Sequence, residues 1–145
     1  MTPLTVPADA TFEPVAEPYD TDLDAGDALS AAFERARRGR TRVLAKFGGA
    51  WCPDCRILAG MMTIPVIASF LDARFEVVPI HIGRYDVNMD LPPRLGLSAG
   101  LEGAPAVVIA TADGTVVNPD RIYEWRTARE RSPQELADYL TAFAG

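Results

Sequence analysis

The chain has 145 residues, enough for one domain that builds its own core without disulfide staples. Fourteen Lys and Arg against twenty Asp and Glu leave a net charge of −6, which argues against nucleic acid or an anionic membrane as main partner, because phosphate binding needs a local cationic excess. No run of residues has the length and apolarity of a bilayer span or a secretory h-region, so the expected location is cytoplasmic, or periplasmic if a leader has been trimmed.

Residues 1–21 read as an irregular arm broken by Pro3, Pro7, Pro14 and Pro18, and residues 22–145 as one domain. Asp24 or Asp27 caps a helix running to about Arg38, with the apolar stripe Leu29, Ala32, Phe33 and Ala36, and Gly39 stands at the C′ position. The arginines from Arg35 to Arg42 suit the negative end of that helix and read as a solvated helix end. Thr41–Phe47 is β-prone and almost continuously apolar, as a buried strand should be. Gly48 and Gly49 end it, and Pro53 opens a helix to about Met62.

After Thr63 and Ile64, a further helical segment runs from Pro65 to about Asp72. Phe75–Ile82 is the next strand, and Pro79 argues against a central place for it. Residues 83–103 read as a loop with one short helix. Pro105–Thr111 is a strand, Asp113-Gly114 a hairpin turn and Thr115–Val117 the partner strand. Ser132, Pro133 and Glu135 form a capping box with an N1 proline, opening a last helix to about Phe143. The β-α-β unit implies parallel strands and the hairpin an antiparallel pair. The fold class is therefore α/β, a mixed sheet with helices on both faces.

Two cysteines only, Cys52 and Cys55, open the helix after the first strand. Dithiol–disulfide exchange needs one thiol that is largely thiolate near neutral pH and a second within reach to release the mixed disulfide. A Cys-x-x-Cys pair at a helix start supplies both: the first sulfur meets the positive end of the dipole and free N–H groups, and the second lies one turn inward. Cys52 is expected to be the exposed attacking thiol and Cys55 the buried resolving one. A structural zinc site would need a second pair, and His81 is the only histidine, so a metal within one chain is disfavoured, while an intersubunit metal needs only one pair per chain.

Asp54, between the cysteines, suits the first turn of a helix yet opposes a thiolate at Cys52, with solvent exposure softening the repulsion. His81 reads as a strand histidine. Asp86, Asn88 and Asp90 imitate a calcium loop, but Leu91 and Leu97 stand where Gly and Glu are required. Tyr123 and Trp125 read equally as core or as a substrate platform.

The run VLAKFGGAWCPDC, with Trp51 and Pro53 framing the pair, resembles the active site of the thioredoxin superfamily. The Trp-Cys-Pro-Asp-Cys site and the segment IHIGRYDVNMDL are similar to bacterial thiol:disulfide interchange and isomerase-like members. Eukaryotic cytosolic thioredoxin-related reductases share the five-residue site. The resemblance covers roughly residues 20–145 and implies a thioredoxin fold and protein-disulfide oxidoreductase activity. It also implies protein disulfide substrates, a redox-partner reductase and no bound cofactor. It further implies that Pro105 is cis against the cysteines and that the backbone of Ala104 pairs with substrate. Where thioredoxins carry a buried aspartate, six residues before the first cysteine, this chain has Lys46. Lys46 either stabilises a thiolate or, the reading favoured here, snorkels along apolar surface with its ammonium outside the site. The expected function is a reductase. The alternatives are an oxidase or isomerase, or a redox-inert binding or chaperone module on the same fold.

Overall fold

The structure of the protein is a computed structural model, described for residues 4–145, so Pro3 lies outside the described residues. Strand β1 (Arg42–Gly48) is buried from Val43 onward, because it is the centre of a three-stranded sheet. Strand β2 (Phe75–His81) pairs with it in parallel, and β3 (Ala106–Ala110) antiparallel on its other side. Pro79 is accommodated because β2 is an edge strand, where a missing N–H can face away from the ladder.

The alternation of β1 sends Val43, Ala45 and Phe47 to one face and Leu44 to the other. On the first face lies α1 (Ala25–Gly39), capped by Asp24, whose carboxylate accepts from the Asp27 N–H at 3.0 Å, together with the short α4 (Leu91–Arg94). Against the second face pack α2 (Pro53–Met61), α3 (Pro65–Arg74) and α5 (Pro133–Ala142). Helices α2 and α3 meet at a bend of 86°. Ile64 precedes a proline and is pushed out of helical backbone, with ψ of 127°. Ser132 and Glu135 close the capping box of α5 at 3.2 and 3.1 Å.

Three expectations are corrected. Gly39 is the last helical residue of α1, and Arg40 takes the left-handed position at φ 57°. The partner strand at 115–117 is reduced to a single bridge between Ala110 and Val116. The backbone keeps two hydrogen bonds there, from the Thr111 N–H to the Thr115 carbonyl at 2.9 Å and from the Val117 N–H to the Ile109 carbonyl at 2.8 Å. A side chain then continues the pairing: buried Asn118 accepts from the Ile109 N–H and donates to the Val107 carbonyl, both at 2.8 Å. Pro119 then follows without an N–H to continue a ladder. Residues 124–130, to which the sequence assigned no element, form a 3-10 helix (Glu124–Glu130) kinked at Thr127. Trp125 within it is fully buried on the second face, so it is core, and the half-buried Tyr123 accepts at its hydroxyl from the Glu102 N–H.

Residues 4–21 have no regular structure, yet they are bound along their length. Gln134 holds Leu4 and Val6, and the Val15 N–H donates to the Arg56 carbonyl at 3.0 Å. Val6, Ala10 and Phe12 pack on the second core face. The arm ends by delivering Tyr19 to the start of α2.

Candidate active site

Strand β1 stops at Gly48, and the chain turns through Gly49–Trp51, with the Cys52 N–H donating to the Gly49 carbonyl at 3.1 Å. Cys52 is the N-cap of α2, in extended backbone, and Pro53 takes N1. The cap is a sulfur: Cys52 Sγ accepts the Cys55 N–H at 3.2 Å. This is the geometry in which the open end of a helix favours a thiolate. Cys55 sits one turn in and is completely buried.

These surroundings pull the two thiols apart. The hydrogen bond with the Cys55 side chain is the main cause lowering Cys52 to about 7; burial and the charge of Asp54 oppose it, and backbone N–H groups assist. The same hydrogen bond and burial push Cys55 far up. One sulfur is therefore half ionised near neutrality while its neighbour holds its proton. Cys52 is less open than its position suggests, at 4% exposure, because Tyr19, Trp51 and Ala104 pack around it.

The Ala104–Pro105 bond is cis, and the Ala104 carbonyl lies 3.8 Å from Cys52 Sγ. Trp51 is half-buried and tied down by its indole N–H, which donates to the Gly83 carbonyl at 2.6 Å. Tyr85 and the Arg84 guanidinium lie against the same ring, at 5.8 and 5.2 Å between centres. The loop after β2 and the turn before α2 are thereby joined. Beside them opens a cleft of about 450 Å³ lined in part by Glu17, Tyr19, Trp51, His81 and Arg84.

Two supporting residues differ from expectation. Asp54 is not solvent-screened. It is buried, and Arg129 of the 3-10 helix grips both carboxylate oxygens, at 2.7 and 3.2 Å, while the Arg129 N–H adds a third bond at 2.9 Å. Arg129 offsets this charge, and what remains of it still opposes a thiolate at Cys52. Lys46 does not snorkel outward. Two residues along β1 from Leu44, it falls on the same face and is 4% exposed, with Nζ 5.3 Å from the centre of the Tyr19 ring. Burial lowers it to about 8, opposed by the charge of Cys55.

The sequence did not single out Tyr19 or Arg129. Both lie in segments without periodicity, and only the packing of the arm and of the 3-10 helix brings them to α2. Two polar residues of the 86–90 loop bind backbone nearby: Asp86 accepts from the Arg84 N–H, and Asn88 donates to the His81 carbonyl, each at 2.8 Å. Among the described residues no three His, Cys, Asp or Glu side chains gather as metal ligands would.

No family model matches the chain. Over 79 residues, 54% of this chain and 67% of the relative, it is 29% identical to a thioredoxin of Alicyclobacillus acidocaldarius. The crystal structure of a disulphide isomerase from Xylella fastidiosa Temecula1 superposes with a TM-score of 0.82 at 31% identity, covering 89% of this chain and 98% of that one.

Proposed function

The chain belongs to the thioredoxin superfamily of thiol:disulfide proteins, and from that premise we propose that it works as a reductase of protein disulfides through Cys52 and Cys55. The Cys52 thiolate attacks one sulfur of a substrate disulfide and forms a mixed disulfide. Cys55 then attacks Cys52 Sγ, so the enzyme disulfide forms and the substrate leaves as a dithiol, reduced by two electrons. A redox partner returns the enzyme to the dithiol.

The reducing direction is supported by the cap itself: Cys52 Sγ accepts a single N–H, from Cys55 at 3.2 Å, beside the buried carboxylate of Asp54, and Cys52 is lowered only modestly, to about 7. A strongly oxidising member needs a thiolate stabilised down to roughly 3.5, because its reduced form must be the stable one, whereas thioredoxin itself lies near 7. The likeness to a disulphide isomerase favours a second reading, in which the mixed disulfide is handed to another substrate thiol before Cys55 resolves it.

Equilibration with glutathione buffers separates the two. The reductase reading expects a potential near the roughly −270 mV of thioredoxin, and the isomerase reading one near about −180 mV. Insulin reduction with a dithiol donor is expected from the wild type and lost in Cys52→Ser, while Cys55→Ser accumulates a mixed disulfide. Full multiple turnover by Cys55→Ser would sink the two-cysteine mechanism.

A further inference from the structure

Two buried side chains at the site have no part in the exchange as written. Tyr19 is 6% exposed and packs against Cys52 and Cys55, and its hydroxyl is buried without a hydrogen-bond partner among the described residues. An unpaired buried hydroxyl is destabilising, so its retention beside a reacting sulfur calls for a cause. The position of Gly48 shows what it faces. A Cβ there would lie 2.5 Å from Cys55 Sγ and 2.6 Å from Tyr19 Oη, so both atoms close on the same bare α-carbon. Lys46, on the same strand face, sets its ammonium against the Tyr19 ring.

We propose that Tyr19 is a positioning residue for the resolving thiol: its hydroxyl donates a hydrogen bond to Cys55 Sγ as that sulfur becomes a thiolate, with the Lys46 ammonium reinforcing the donor. The proposal rests on the two-cysteine reading and concerns its second step. There the Cys55 thiol loses its proton and its sulfur attacks Cys52 Sγ. The Cys52–Cys55 bond forms, the bond from Cys52 to the substrate sulfur breaks, and the departing thiolate carries off the electron pair and takes up a proton.

A thiolate at a fully buried sulfur has no water to solvate it, so a fixed donor and a nearby cation lower the barrier to forming it. Tyr19 fits the donor role because burial first, then the charge of Cys55, keeps its hydroxyl protonated far above neutral pH. A carboxylate at position 46 would repel this thiolate; an ammonium attracts it. The titratable groups facing Cys55 are Cys52 from the cap of α2, Tyr19 from the arm and Lys46 from β1, with Tyr85 of the loop after β2 as a further influence. Asp54 bears on Cys52 and is paired with Arg129.

The test is a single-turnover reaction of the reduced protein with an aromatic disulfide that liberates one coloured thiolate when Cys52 attacks and a second when Cys55 resolves. Tyr19→Phe keeps the ring and removes only the hydroxyl. It is expected to lower the ratio of second to first release rate about tenfold or more, the scale of a hydrogen bond to a charged group. The pH midpoint of the second release is expected to move upward. Lys46→Met should change the ratio and the midpoint in the same directions. A Tyr19→Phe protein with the wild-type ratio and midpoint overturns the proposal, and so does one in which both releases slow together, since Tyr19 would then act by packing alone. A wild type that gives the first release and never the second overturns the two-cysteine reading itself. That failure is seen without any substitution and is thereby told apart.

Discussion

Cys52 and Cys55 are the same chemical group in two places one helical turn apart, and the first holds a sulfur at the cap where the second hides its own in the core. Alkylation of Cys52 should follow its thiolate, slow below and fast above a midpoint near 7, the value to which the Cys55 hydrogen bond draws it. Asp54 opposes that shift even though Arg129 matches its charge. In Asp54→Asn the repulsion goes and Arg129 is left without its anion, and both changes favour the thiolate. The alkylation midpoint is therefore expected to fall, and the potential to move toward the oxidising side by roughly 20 mV for each kcal/mol of thiolate stabilisation. The same variant loses the ion pair that joins buried Asp54 of α2 to the exposed guanidinium of Arg129 on the 3-10 helix, so its melting temperature should drop by a few degrees. An unchanged midpoint with a lower melting temperature would show that Asp54 acts only as a tether.

The arm and α2 behave as one element, because the arm's backbone lies directly on the helix. At Gly60 a Cβ would run into the Glu13 carbonyl and, at 2.9 Å, the Phe12 ring. Replacing a glycine by alanine inside a helix ordinarily stabilises by about 1 kcal/mol. Here the sign should reverse, since the arm must lift to admit the methyl group. Gly60→Ala is expected to melt lower than wild type and to be cut faster by chymotrypsin at Phe12 and Tyr19. It should also lose part of the second-step rate that depends on Tyr19. A variant with a higher melting temperature and unchanged cleavage would mean that the arm contributes no holding energy at this point.

Across the whole molecule, the buried Lys46 links stability to pH. Its amine is lowered in the fold to about 8 from the ordinary 10.5. Between those two values the unfolded chain holds a proton that the folded chain has released, so this group makes stability rise with pH across that window. Below it the fold bears the full cost of a buried ammonium. Lys46→Met should therefore be more stable than the wild type at pH 7, and that advantage should shrink as pH passes from about 8 to about 10.5. Urea midpoints of both reduced proteins over this range give the comparison. Taking the difference between them removes the contributions of groups that Lys46 does not touch and leaves its own titration together with its coupling to Cys55. An advantage independent of pH would mean that the ammonium is hydrated within the fold.

What was legible in the chain is what depends on neighbours in sequence. The apolar run of β1, the capping box of α5, the proline that divides α2 from α3 and the Cys-x-x-Cys pair at a helix start all act over a few residues. The physics that selects them is local backbone geometry and the helix dipole. The thioredoxin fold and the order of the two thiols follow from those signals together with the family motif. The partners of those thiols were decided by tertiary contact. Arg129 meets Asp54 across 75 positions, and Tyr19 reaches Cys55 from an arm whose prolines and acids carry no periodic signal. Lys46 is drawn inward because the alternation of β1 sends its side chain to a face that the arm and α2 have already covered, which no reading of its charge alone would place there. Charge and hydropathy predict exposure one residue at a time, whereas burial is set by what the rest of the chain packs on top.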